Sequence, residues 1–200
     1  MKAITVIGFI GFTLFVATSC FAAEQVSRPQ INNYEAPGNL ESKYDLGCVG
    51  PEKLGNKFTP ADLYQAIPAC TKQGKYKEGA VLFALAGTYG RFDTLRVTDQ
   101  SAHQAVTVLK IQAFSAMPPD QQNAFKESVS KTIGNPDGLA AVCKEIARIG
   151  PPNYYPRYMI QHGMGAFTKT GADDDGLVKN FNTSAAWKQS LDTYLQCPNL

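Results

Sequence analysis

The chain has 200 residues, 44% of them hydrophobic, with 19 Lys and Arg against 17 Asp and Glu. This near balance of charge argues against binding to nucleic acid or to an anionic membrane surface, because both partners favour clustered positive charge. The length is sufficient for one domain with a hydrophobic core.

Residues 1–22 have the pattern of a secretory signal peptide. Lys2 precedes an apolar run and then small residues, and cleavage after Ala22 places Cys20 and Ala22 at the two positions that signal peptidase inspects. The run is too short for a membrane anchor. A lipoprotein attached at Cys20 is the alternative, although the preceding Ala-Thr-Ser lacks the usual leucine. We therefore predict a periplasmic protein with no transmembrane segment in the mature chain.

The mature chain has four cysteines, an even number in an oxidising compartment, and we expect them to form disulfides. Three pairings are possible. We favour Cys48–Cys70 and Cys143–Cys197, because each bond would join a helix to a loop or terminus that would otherwise fray. No pair has the short C-x-x-C spacing of a zinc site. Residues 23–57, polar and rich in Pro and Gly, are predicted to form an extended arm held at its far end by Cys48.

Two antiparallel helices are predicted between residues 59 and 92. Thr59 is suited to cap the first helix with Pro60 at its first position, and Asp62 forms a near match to a capping box. Pro68 is expected to kink or shorten this helix. Gly74 ends it, and a second helix from about residue 77 to 89 is apolar nearly all round, so we expect it to be the most buried element.

The second helix and the turn before it contain the pattern Gly74-x-Tyr76-x-x-Gly79-x-x-x-Phe83-x-x-Ala86. This pattern resembles a tetratricopeptide or Sel1-like repeat, which implies a protein-binding scaffold. The resemblance covers about 30 residues, and no second copy follows, whereas a solenoid generally needs about three repeats. We interpret it as one degenerate repeat unit within a globular domain.

The rest of the chain predicts four further helices, at about 99–116, 120–133, 136–149 and 184–196, separated by Gly and Pro turns. Residues 91–97 are predicted to be a charged connecting loop. No segment shows the alternation of a strand. The predicted fold is therefore all-α, with a single globular helical domain at residues 58–200 that is cross-linked by disulfides.

Few residues suggest catalysis or metal binding. His103 follows Asp99 by one helical turn, which permits a His–Asp pair, but no known catalytic or phosphate-binding motif is present. Met159, His162 and Met164 are of the type that binds Cu(I). The aspartates at 173–175 favour a solvated turn, because consecutive side chains do not reproduce the ligand spacing of a calcium loop. We predict no cofactor, no metal and no catalytic residue.

The function predicted from these features is protein binding. By its setting the chain resembles periplasmic immunity proteins, which neutralise secreted effector enzymes; this resemblance implies a secreted effector or hydrolase as the partner. Tyr and Arg side chains are enriched at the anchors of interfaces. We predict that the partner-binding residues are Arg91, Asp93, Arg96, Tyr154, Tyr155, Arg157, Tyr158 and His162. The alternatives are a cell-envelope adaptor that grips a peptide between helices, and a periplasmic copper-binding protein or enzyme.

Overall fold

A long helix, α2 (Tyr76–Arg96), lies at the centre of the computed structural model, which describes residues 35–168 and 174–197. Fourteen of its 21 residues are buried, as expected from a sequence that is apolar on all sides. Gly79 faces the ring of Phe125, and Gly87 faces the hydroxyl of Tyr194. These two glycines therefore admit neighbouring aromatic side chains.

Helix α1 (Pro60–Lys72) packs against α2 as its antiparallel partner, with the turn at Gly74 in a left-handed conformation. The predicted capping box is confirmed: the amide of Asp62 donates to Thr59 Oγ1, and the amide of Thr59 donates to Asp62 Oδ2 at 2.7 Å. Pro68 does not shorten the helix, which continues to Lys72.

Six further helices complete the described fold: α3 (Ala105–Ser115), α4 (Pro119–Ile133), α5 (Pro136–Ile149), α6 (Arg157–Ile160), α7 (Gly165–Thr168) and α8 (Thr183–Ser190). A 3-10 helix, Gln100–Gln104, precedes α3, and a π-helical turn, Leu191–Leu195, follows α8. The described residues form no strand and only one isolated bridge, between Val97 and Leu177. The all-α prediction is confirmed. The short helices α6 and α7 were not predicted.

Residues 91–97 differ from their prediction as a connecting loop, because α2 continues to Arg96. Glycines at 87 and 90 lower helix propensity, but packing outweighs this effect. Phe92 packs edge-on against Phe181, and Asp93 forms an ion pair with Arg96 one turn later. Tertiary contacts thus extend the helix beyond the end that its local sequence indicates.

Two disulfides cross-link the domain, Cys48–Cys70 and Cys143–Cys197, which is the predicted pairing. The first joins α1 to the arm, whose described residues are 35–57. The second joins α5 to the chain after the π-helical turn. Within the residues described, no helix has both the length and the apolar character needed to cross a membrane. The predicted signal peptide and Asp173 lie outside the described residues.

Candidate functional site

A fully buried carboxylate, Asp93, lies in the last turn of α2 and accepts hydrogen bonds from three side chains. Tyr158 and Tyr154 donate their hydroxyls to Oδ2 at 2.8 and 2.9 Å, and Arg96 donates Nε to Oδ1 at 2.8 Å. The second guanidinium contact of Arg96 to Oδ1 is 2.7 Å. We call these four residues the Asp93 cluster. These bonds connect Tyr154 and Tyr158, which follow α5 in the chain, to the central helix α2.

Aromatic rings surround the charged part of this cluster. The guanidinium of Arg96 lies over the rings of Phe92 and Tyr154, 5.1 and 5.0 Å from their centroids. Tyr89 packs against Tyr154 and Trp187, and donates its hydroxyl to the carbonyl of Gly150 at 2.8 Å. Cation–π contacts of a desolvated guanidinium are favourable. Two aromatic rings and the carboxylate of Asp93 therefore hold Arg96 in place.

Burial governs the electrostatics of the cluster. Loss of hydration raises the pKa of Asp93, while Arg96 and the hydroxyls of Tyr158 and Tyr154 oppose this rise. Burial also raises the pKa of both tyrosines well above the usual value, and the Asp93 carboxylate adds to the effect. Both hydroxyls therefore remain protonated donors at physiological pH, as an internal network requires.

The structure separates the eight predicted partner-binding residues into two groups. Asp93, Arg96 and Tyr158 are buried, and with the half-buried Tyr154 they bond to one another. Their visible role is to support the fold from within. The remaining four reach the surface: Tyr155 and Arg157 are exposed, and Arg91 and His162 are half-buried.

Arg157 and His162 contact the arm of the same chain. Arg157 Nη2 donates to the carbonyl of Pro37 at 3.1 Å, and His162 Nδ1 lies 2.8 Å from Asn39 Oδ1. The backbone amide of Leu40 donates to the carbonyl of Tyr158 at 3.0 Å. Partial burial lowers the pKa of His162, which favours its neutral form. These contacts hold the arm against α6.

We next consider the side chains that the sequence suggested for metal binding or for a His–Asp pair. Met159 is fully buried, whereas Met164 is 65% exposed. The described residues contain no group of three or more His, Cys, Asp or Glu placed to hold a metal ion. His103 Nε2 lies 3.0 Å from the carbonyl of Val97, and the carboxylate of Asp99 instead bonds to Ser101 and Gly165.

Exposed apolar side chains concentrate on the segment from 155 to 178. Among the described residues seven large hydrophobic side chains are exposed, and four of them belong to this segment. We call these four the apolar face: Tyr155, Met164, Phe167 and Val178, with exposures of 44, 65, 52 and 40%. Contiguous apolar patches on a protein surface mark binding sites, and these four side chains are the candidates for such a patch.

The backbone beneath the apolar face is fixed by hydrogen bonds to the end of α2 and the 3-10 helix after it. Gly165 donates its amide to Asp99 Oδ2 at 2.7 Å, and Met164 donates its amide to Ser101 Oγ at 2.9 Å. Val178 donates its amide to the carbonyl of Arg96 at 2.8 Å. Although partial burial acts to raise the pKa of Asp99, the bonds from Ser101 and Gly165 hold it below its usual value.

Gly163 allows this part of the chain to lie close to Asp99. A Cβ at position 163 would collide with Asp99 Oδ2 and would lie 2.8 Å from Ala102 Cβ. We therefore expect Gly163→Ala to lower the free energy of unfolding by about 1–3 kcal/mol, the usual cost of overpacking. Chemical unfolding followed by circular dichroism measures this change.

Gly55→Ala is the matched control, because a Cβ there meets no atom within 4 Å. Its stability should equal or slightly exceed that of the wild type, since alanine restricts the unfolded chain. Equal stability of the Gly163→Ala and Gly55→Ala variants would show that the fold does not depend on the close approach of Gly163 to Asp99.

Phe167, Val178, Asp99 and Ser101 were not predicted as parts of this site, and Met164 was considered only as a metal ligand. Only the composition of residues 153–167 signalled it, through three tyrosines and an arginine within five positions. Comparison of the chain with protein-family models, curated proteins and solved structures finds no match in any of the three.

Proposed function

We propose that this protein is a periplasmic binding module of the immunity type, which neutralises a secreted effector enzyme by covering its active cleft. The single observation that carries the proposal is the apolar face on a backbone fixed to the helical core. Four exposed apolar side chains in one segment favour a protein partner over bulk water.

The hydrogen bonds that hold the described residues of this segment support inhibition by occlusion. Association is weakened when loops must be ordered on binding, and a preorganised surface avoids much of that cost. Hydrogen bonds to Asp99, Ser101 and Arg96 already order the chain beneath Met164 and Val178. Tyr155 is ordered too, because its hydroxyl donates to the carbonyl of Asp175 at 2.7 Å. A tyrosine held in this way is a suitable interface anchor.

The cross-links support the proposed location. Disulfides persist in oxidising compartments, and two of them hold this fold together. With a signal peptide expected at residues 1–22, the periplasm is the compartment that we propose.

Affinity capture with three matched baits tests the proposal. Wild-type protein, a Met164→Ala/Phe167→Ala double variant and an Ile111→Ala variant would each be incubated with envelope and secreted fractions of the host and its relatives. Ile111 is a suitable control because it is 57% exposed but lies on α3, in a shallow groove with Phe114 and Lys126 that includes no residue of the apolar face. We expect one stoichiometric partner, an enzyme such as a hydrolase, on the wild-type and Ile111→Ala baits only.

Either of two results would count against the proposal. The first is equal capture of that partner by the double variant, which would mean that the apolar face is not the contact. The second is a partner without enzymatic activity, which would favour the adaptor function instead.

A further inference from the structure

A second feature, independent of the apolar face, is an apolar groove at the other end of α2. Its volume is about 520 Å³, and it lies between the start of α2, the end of α4 and the first turns of α5. Pro51, Val81, Ala141 and Val142 form its apolar lining. Volumes between 300 and 1,000 Å³ with mainly apolar walls are typical of small-molecule sites.

The charged side chains at the rim of the groove carry more positive than negative charge. Glu145 also lines the groove, but its carboxylate is paired with Arg148. Lys131 pairs with Glu127. Lys77 is exposed and has no ion-pair partner among the described residues. A ligand with one negative charge would therefore complement the rim.

The walls indicate what kind of molecule the groove accepts. Three of them are helices, whose interior backbone groups are hydrogen-bonded within the helix. The polar side chains that line the groove include Lys77 and the hydroxyls of Ser128 and Thr132. An extended peptide would leave most of its own N–H and C=O groups without partners on such walls, at a cost in free energy. A ligand with an apolar body and one polar end would not.

We propose that this groove binds a small amphiphilic anion of the fatty-acid type, with the chain against Val81 and Val142 and the carboxylate at Lys77. Lys77 precedes Arg96, whose carbonyl accepts from the amide of Val178, by 19 positions on the same helix, a separation of roughly 28 Å at 1.5 Å per residue. Binding here is therefore independent of the function proposed for the apolar face.

Titration calorimetry with decanoate tests the position of the site. Ala141 and Ala140 are neighbouring exposed alanines on α5, and only Ala141 lines the groove. We expect Ala141→Trp to fill the groove and weaken decanoate binding at least tenfold, whereas Ala140→Trp should bind as the wild type does. Absence of saturable binding to the wild type, or equal loss in both variants, would overturn the proposal.

A second comparison tests the role of charge and uses a variant that leaves the apolar lining intact. Wild-type protein should bind decanoate more tightly than decanol. Lys77→Gln should weaken decanoate binding about two- to fivefold at low salt, the size of an exposed ion pair, and should leave decanol binding unchanged. Equal weakening of both ligands, or no change for decanoate, would contradict the assigned orientation.

Discussion

Asp93→Ala is expected to lower the free energy of unfolding by about 4 kcal/mol, in the range for removing one partner of a buried ion pair. The substitution leaves the guanidinium of Arg96 in the core without its carboxylate. It also removes the acceptor of the Tyr154 and Tyr158 hydroxyls. Urea unfolding monitored by circular dichroism gives the value directly.

Two further variants test whether the loss of stability in Asp93→Ala comes from the Asp93 cluster. Tyr158→Phe removes one hydrogen bond to Asp93 and should cost about 1 kcal/mol. Asp192→Ala removes an exposed carboxylate paired with Lys188 and should have little effect. If Asp93→Ala were as stable as Asp192→Ala, the account of Asp93 as an internal support would be wrong.

Asp62→Ala is expected to lower the free energy of unfolding by about 3 kcal/mol, because several buried or partly buried donors would lose their acceptor at once. Oδ1 of Asp62 accepts from Ser42 Oγ at 2.8 Å and from the amides of Lys43 and Tyr44 at 2.6 and 2.9 Å. Oδ2 accepts from the amide of Thr59 at 2.7 Å. The same carboxylate thus caps α1 and holds the arm.

The arm provides a second readout for this variant. Hydrogen exchange at the amides of residues 43 and 44 should accelerate strongly in Asp62→Ala, while the Cys48–Cys70 bond keeps the arm attached. Asp45→Ala is the control, because Asp45 is exposed and accepts only a long bond of 3.3 Å from the amide of Gly47. Unchanged exchange in Asp62→Ala would mean that other contacts hold the arm.

Local signals predicted much of the fold. The cap at Thr59 and Asp62, the breaks at Gly and Pro, and the apolar periodicity each depend on residues a few positions apart. The disulfide pairing was also predicted, because each bond was expected to join a helix to a loop or terminus that would otherwise fray. The sequence did not indicate why Asp replaces the usual Glu in the capping box. The structure explains it by the arm, whose donors lie about 20 residues away.

The candidate site was harder to predict, because it depends on contacts between distant residues. Asp93 bonds to Tyr154 and Tyr158, which are 61 and 65 positions away. From sequence all three suggested a recognition surface, since burial of a polar side chain is not visible in its local pattern. Phe167 and Val178 have no local feature that distinguishes them from core residues, and their exposure in the folded chain shows that they lie at the surface.

Neutralisation of an enzyme by the apolar face is tested by titrating the captured enzyme's activity with the oxidised, mature protein and its variants. We predict that activity falls linearly to zero at a one-to-one ratio with wild-type protein and with Ile111→Ala. The Met164→Ala/Phe167→Ala variant should need at least a hundredfold excess, since buried apolar anchors dominate interface energies. Full inhibition by that variant at equimolar ratio, or residual activity at saturating wild-type protein, would contradict the claim.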